Sequence, residues 1–499
     1  MQVFLLTILG FLLRVININK PEGLWNDEYV SWMVSAVPFG QGFWQEVLKQ
    51  CHMPLYYLYL KPFVNCSDLI LRMTSVIPSV AAIVVMYYTG KEYSKKVGIY
   101  AAAITAVLPF LIYYSQELRF YSILFLLSSI FLLFTVRVIK NFNKKNITCY
   151  VISALLIIFT HILGIVFVLI NAFYVAYKLR FQNYLNIINF KKNVFKPKQL
   201  LLFLLCVIVM TCIVALGLNI LSQIPSSQWW GRFSYTNILF LFSDFLSPIL
   251  TNHINAPPVF FYNKDIVFNM LLVIPTIIGL YGLIRSYKSI KGLLFVSLIF
   301  TAILAVFAVL GKIVFITKYL TEILPIIILS MSLGFSKDKL GKIFLIIFVL
   351  INFMSIATVY HPIYKYRSEG HKIPSEILNK TNPDKIIYTY YAPDRFKRYL
   401  SIDAPSRYIS KVNRFEYIDN PSRILNFVNS GERVSVVFLD SVSFIGENNI
   451  EYAKTHNIPE MFITFSIIRN ELQKTLLNNC KSLNAAKRGS WTVLNCVKK

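Results

Sequence analysis

Blocks of consecutive apolar residues, each on the order of 20 long, recur from Met1 to about Tyr360 and then stop. That length is what one helix needs to cross the hydrocarbon of a bilayer. The pattern predicts spans near 3–19, 70–90, 97–114, 119–137, 147–160, 162–178, 199–222, 266–284, 292–311, 317–335 and 341–360. The two short spans flanking His161 read as tilted or partly re-entrant. The loop at 20–69 is too long for a simple turn, and its segments 27–37 and 54–64 mix aromatic and polar residues at helix-compatible spacing. They are predicted to lie along the membrane surface rather than to cross it. A second long loop, 223–265, carries Trp229, Trp230 and Arg232, residues of the kind that anchor at an interface. Beyond 361 the pattern changes to strand-like runs (386–391, 433–439, 491–497) alternating with helical ones (394–400, 421–429, 470–483). The expected architecture is therefore a polytopic α-helical membrane protein of about 11 transmembrane helices (1–360) with a soluble C-terminal α/β domain (361–499).

Composition agrees with lipid as the solvent. Hydrophobic residues make up 56% of the 499 and charged residues only 15%, against about 25% charged in a soluble domain. The net charge of +26 would suit a nucleic-acid partner were it gathered on one surface. Instead, in residues 1–360 the 29 Lys and Arg outnumber 11 acids and cluster between apolar blocks. With the N-terminus placed inside, 19 of those 29 fall in cytoplasmic loops beside only two acids, Glu92 and Asp338. The opposite face receives Glu22, Asp27, Glu28, Glu46, Asp68, Glu117, Asp244 and Asp265. This is the positive-inside bias, and an odd number of spans puts the C-terminal domain outside too. The apolar start runs on without a small-residue cleavage site, so it is expected to be the first span.

Cys149, Cys206 and Cys212 lie in apolar blocks and read as packing residues. Cys51 and Cys66 share the first outer loop, and Cys480 and Cys496 share the C-terminal domain. In an oxidising compartment each pair is compatible with a disulfide.

Candidate chemistry gathers at the outer ends of the blocks. Trp25-Asn26-Asp27-Glu28-Tyr29 follows the first span, and two adjacent carboxylates beside a membrane need solvent, cations or a task. As an ordinary helix N-terminus, the same residues would be favourable capping. Further on come His52-Met53-Pro54-Leu55-Tyr56-Tyr57, then Tyr113-Tyr114-Ser115-Gln116-Glu117-Leu118-Arg119-Phe120-Tyr121-Ser122, Thr160-His161, and Lys318-Tyr319-Leu320. Arg14 and Arg72, near span ends, are expected to snorkel. Lys318 and Glu322, four apart, are expected to pair locally on one helix.

In this order the segments resemble the GT-C membrane glycosyltransferases, specifically family 39 and its relatives with a protein-mannosyltransferase-like or lipid A aminoarabinose transferase-like module. The resemblance covers roughly residues 1–340. Met53 departs from the usual first proline of the His-Pro-Pro-like segment, and Lys318 stands where an arginine is common. It implies transfer of a sugar from a polyprenyl-phosphate donor to an envelope acceptor (lipid, glycan or protein) at an extracytoplasmic site of the cell membrane, with no nucleic acid involved.

Such a donor already carries a good leaving group. The reaction then needs a base for the acceptor hydroxyl and positive charge for the departing phosphate. Asp27 is the expected base, with Glu28 orienting the acceptor or supporting Asp27, and Glu117 positioning Arg119 or binding the acceptor. Arg119, Lys318, His52, His161, Tyr56, Tyr57 and Tyr121 are the expected substrate-binding residues. No cofactor is certain from these residues; a divalent cation held by His52 or His161 with Asp27, Glu28 or Glu117 is possible. Two other functions stay open: a polytopic transporter, which would place polar groups near the bilayer midplane, and a lipid-linked oligosaccharide polymerase or ligase.

Overall fold

A computed structural model describes residues 1–20, 22–50, 53–186, 241, 245–246, 266–310, 315–360, 370–388, 396, 398–402, 406–408, 411–412, 416–417, 428–439, 472–488 and 491–499. The chain opens with helix α1 (Gln2–Val15), shorter than the expected 3–19. It ends where Ile16 becomes extended at φ −60°, ψ 127°, and Asn17 follows in the left-handed region at φ 56°. Three short helices fill the first long loop: α2 (Asn26–Ala36), α3 (Gln41–Lys49) and α4 (Leu55–Leu60). The first and third match the two expected amphipathic segments. The middle one was not foreseen, although its Phe43 and Val47, four apart, are the residues it buries.

Helix α5 (Asp68–Lys91) follows, capped by the Ser67 hydroxyl. The expected span 97–114 is two helices, α6 (Lys95–Val107) and α7 (Pro109–Ser115), bent by 56°. Pro109 causes the bend: a residue before proline is driven out of the helical region, and Leu108 is extended at φ −65°, ψ 116°. Then come α8 (Tyr121–Lys140), α9 (Lys144–Thr160), α10 (Gly164–Asn186) and the long α11 (Ile266–Val309). Non-helical Ile290 breaks α11 beside the basic stretch that separates the expected spans 266–284 and 292–311. A 3-10 turn (Thr317–Ile323) leads into α12 (Leu324–Phe335), and α13 (Lys339–Tyr360) completes the helical part. By length and composition, four of the described helical segments can cross a membrane, or five if the bent pair is one span. The expected span 199–222 and the loop holding Trp229, Trp230 and Arg232 lie outside the described residues.

Arg14 and Arg72 do not snorkel. Arg14 is fully buried, donating to Ser79 Oγ (2.8 Å), Gly10 O (2.9 Å), Ala106 O (3.0 Å) and Thr105 O (3.0 Å). These acceptors satisfy a guanidinium that would otherwise have to reach water. The α5–α6 hairpin that presents most of them is tight, since a Cβ on Gly90 would come within 2.8 Å of the Gly98 backbone.

The C-terminal part begins with helix α14 (Lys372–Thr381) and builds a mixed five-stranded sheet in the order β2-β1-β5-β7-β6. Its strands are β1 (Lys385–Tyr388), β2 (Ser406–Tyr408), β5 (Arg433–Leu439), β6 (Cys480–Arg488) and β7 (Trp491–Lys498), with a separate two-stranded pair β3 (Lys411–Val412) and β4 (Glu416–Tyr417). β1 runs parallel to β2 and β5, while β7 runs antiparallel to β5 and β6. The runs 433–439 and 491–497 read from sequence are strands, and so are the described residues 386–388 of the run 386–391. Of the helical ones, 470–483 is overturned past residue 479: Cys480–Arg488 is strand, held by hairpin pairing to β7 and by a Cys480–Cys496 disulfide. The described residues of 394–400 are turn or irregular. Most of 421–429 lies outside the described residues. Cys66 is a free thiol, and Cys51 lies outside the described residues.

Candidate active site

The site forms where the start of α2, the α7–α8 turn and the 3-10 turn before α12 meet. Asp27 and Glu28 occupy the first turn of α2, where the helix dipole favours negative charge. Glu28 is fully buried. Arg72 Nε donates to Glu28 Oε1 (2.8 Å) and Nη2 to Oε2 (2.6 Å), while the backbone N–H groups of Leu118 (3.0 Å) and Trp25 (3.3 Å) add one bond to each oxygen. Arg72 also donates to Gly23 O (2.9 Å) and Ile18 O (3.1 Å). One charge pair thus ties together α2, α5, the α7–α8 turn and the exit from α1.

Asp27 is placed differently. Its side chain keeps 24% of its surface open, and Lys318 Nζ lies 3.8 Å from its Oδ2. Arg119 Nη1 donates to the Asp27 main-chain oxygen and to Ser31 Oγ, both at 3.3 Å. Its Nε is buried with no acceptor among the described residues, and so is the Tyr121 hydroxyl. A buried guanidinium N–H left unfilled is costly unless a ligand supplies the acceptor. Lys318 Nζ also sits 5.6 Å from the Tyr121 ring and 5.7 Å from the Tyr319 ring.

Glu117, on the turn between α7 and α8, is nearly buried. Burial pushes its carboxyl up to about 8, reinforced by Asp27 and Glu28 and opposed by Lys318 and Arg119. Tyr56 and Tyr57 are buried on α4, and Tyr56 meets Phe120 edge-on.

His161 pairs with Glu322, its Nδ1 2.6 Å from Glu322 Oε1, and its ring stacks on Phe120 at 5.1 Å. The expected Lys318–Glu322 pair is therefore not formed. Residues four apart on a 3-10 turn sit roughly a third of a turn from one another rather than in line, so Lys318 turns to Asp27 and Glu322 to His161. His52 lies outside the described residues.

No three His, Cys, Asp or Glu side chains among the described residues gather as metal ligands, and His161 is committed to Glu322. His52, the other histidine expected at such a site, is not among the described residues.

No family model and no curated protein matches the sequence. Solved structures do. ArnT from Cupriavidus metallidurans in the apo state matches with TM-score 0.52, covering 99% of this chain and 97% of that one at 10% identity. The two chains share one fold over nearly their whole lengths. ArnT bound to undecaprenyl phosphate gives 0.50 at the same coverage and identity. An Archaeoglobus fulgidus oligosaccharyltransferase tethered with an acceptor peptide gives 0.47 at 12% identity, covering 100% of this chain and 74% of that one. Within this shared fold, Asp27, Arg119 and Lys318 come from segments up to 291 residues apart in number. Sequence reading had singled out all three. It missed Ser31, which receives Arg119, and the role of Arg72. An arginine four residues into an apolar helix, with few acids available to it, was the signal for a buried partner.

Proposed function

We propose that the chain is a membrane glycosyltransferase that moves a sugar from a polyprenyl-phosphate donor to an acceptor hydroxyl on envelope lipid, glycan or protein, at the non-cytoplasmic face. The observation that carries this reading is Asp27, whose partly open carboxylate faces Lys318 and whose main-chain oxygen receives Arg119, the Nε of which has no acceptor among the described residues. ArnT, solved with undecaprenyl phosphate bound, supplies a precedent for the donor on this fold.

The chemistry follows from the two charges. Asp27 takes the proton of the acceptor hydroxyl as its oxygen bonds to the anomeric carbon. The bond from that carbon to the phosphate oxygen breaks, and the charge left on the phosphate falls to Arg119 and Lys318. Arg119 offers a planar guanidinium suited to phosphate, whereas Lys318 acts as a point charge. Glu28 has both oxygens committed, so its part is to hold the first turn of α2 rather than to meet substrate. Glu117, protonated below about pH 8, would hydrogen-bond the acceptor. Tyr57 and Tyr121 would line the sugar.

The test is complementation of a gene deletion, read by mass spectrometry of envelope glycolipids and glycans. Wild type should restore one sugar-sized mass shift, and Asp27→Asn should fail to while inserting at wild-type level. Restoration by that variant would remove Asp27 as the base; no shift with wild type would remove the transferase reading itself.

A further inference from the structure

The C-terminal domain reaches into the turn that carries Asp27. Two hydrogen bonds take both polar groups of Leu24: its N–H donates to the Tyr399 hydroxyl (2.8 Å), and its carbonyl accepts from the His371 N–H (3.1 Å). The Tyr399 hydroxyl in turn donates to Asp68 Oδ2 (2.9 Å). Its neighbour Arg398 donates from Nε (3.2 Å) and Nη2 (3.0 Å) to Asp68 Oδ1, reaches Cys66 O at 3.0 Å, and lies 4.7 Å from the Trp32 ring. Asp68 opens α5 one turn before Arg72, the residue that grips Glu28 and Gly23 O. Gly23 sits at φ 84°, and a Cβ there would come within 2.6 Å of Lys372.

The segment 22–28 is thus held from two sides, by Arg72 from the membrane part and by Tyr399 and His371 from the C-terminal part. We infer that Tyr399 is a positioning residue for Asp27: its hydroxyl relays the fixed end of α5 to Leu24 and so sets where α2 begins. The C-terminal domain is then a working part of the site and not only its cover. This rests on the proposed role of Asp27, but the contact itself stands without it. Tyr399 touches no reacting atom. It acts through the backbone of Leu24, three residues before Asp27, and a misplacement on the order of 1 Å can cost about 100-fold in rate.

Tyr399→Phe in the full-length protein removes only the hydroxyl and keeps the ring. Hydrogen exchange read by mass spectrometry should show faster exchange in the peptide covering 22–29, with α5 and α8 unchanged. Where turnover is measurable, kcat should fall about 10- to 100-fold at nearly unchanged donor KM, the pattern of a lost transition-state alignment. Asp68→Asn, which keeps size and weakens the acceptor for Tyr399 and Arg398, should move both readouts the same way. Unchanged exchange at 22–29 in both variants would overturn the brace. Faster exchange with wild-type kcat would overturn the positioning role. An inactive Tyr399→Phe beside a fully active Asp27→Asn would instead count against Asp27 as base, leaving the brace to the exchange data.

Discussion

Glu28 and Arg72 share a forked pair shielded from water, so removing one partner strands the other charge. Arg72→Met should lower stability by about 3–5 kcal/mol, read as a lowered midpoint in thermal unfolding of the detergent-purified protein. A midpoint within a degree of wild type would mean that the pair does not hold the loop. Glu117 gives a pH signature. Its carboxyl rises from the ordinary 4.5 to about 8 in the folded chain. Between those values the folded state keeps a proton that the unfolded chain has released, so stability falls as pH climbs through that window and levels off above it. Glu117→Gln should flatten this slope in melting midpoints taken from pH 5 to 9; an equally steep slope in the variant would place the titrating group elsewhere. At this scale the candidate site was legible where charge sat in unlikely places. Asp27, Arg119 and Lys318 stood out as charged groups beside apolar blocks. The division of labour between Asp27 and Glu28 was not legible, because it depends on where Arg72, 44 residues further along, points its guanidinium.

The membrane helices were readable as elements because crossing lipid imposes a length and a composition that survive without any knowledge of neighbours. Their interruptions were not. Pro109 bends one expected span, and the 3-10 turn at Thr317–Ile323 replaces the first two turns of another, rotating Lys318 away from Glu322. In the C-terminal domain, 470–483 reads from sequence as one helical run. Pairing with β7 and the cross-link to Cys496 decide otherwise after residue 479. Packing between α5 and α6 is testable at this scale. A Cβ on Gly98 would lie 2.6 Å from the Tyr87 carbonyl oxygen, so Gly98→Leu should force the hairpin apart. We expect a loss of about 1–3 kcal/mol, seen as a lowered unfolding temperature, and tolerance of leucine would mean that the two helices do not meet at this point.

Across the whole molecule, the positive-inside bias and the Cys480–Cys496 bridge make one joint prediction. If the C-terminal domain faces an oxidising compartment, a membrane-impermeant maleimide should leave these two cysteines unlabelled on spheroplasts until a reductant is added, and should label them afterwards without permeabilisation. Labelling before reduction would deny the bridge. Labelling after reduction only in opened membranes would place the domain on the cytoplasmic side.

The contact between Leu24 and Tyr399 closes over 375 residues of sequence, and this has a consequence for the order of assembly. Contacts so distant along the chain form after local ones, since chain entropy must be surrendered before they return anything. Helices such as α1 and α5 are stabilised within the bilayer by their own backbone bonding and do not wait for the C-terminal sheet. The Asp27 turn does wait, with both polar groups of the Leu24 peptide lacking their final partners until that sheet has folded and docked. A half-made chain would therefore span the membrane with the turn that carries Asp27 still unset, and that turn would be completed as the last event of maturation.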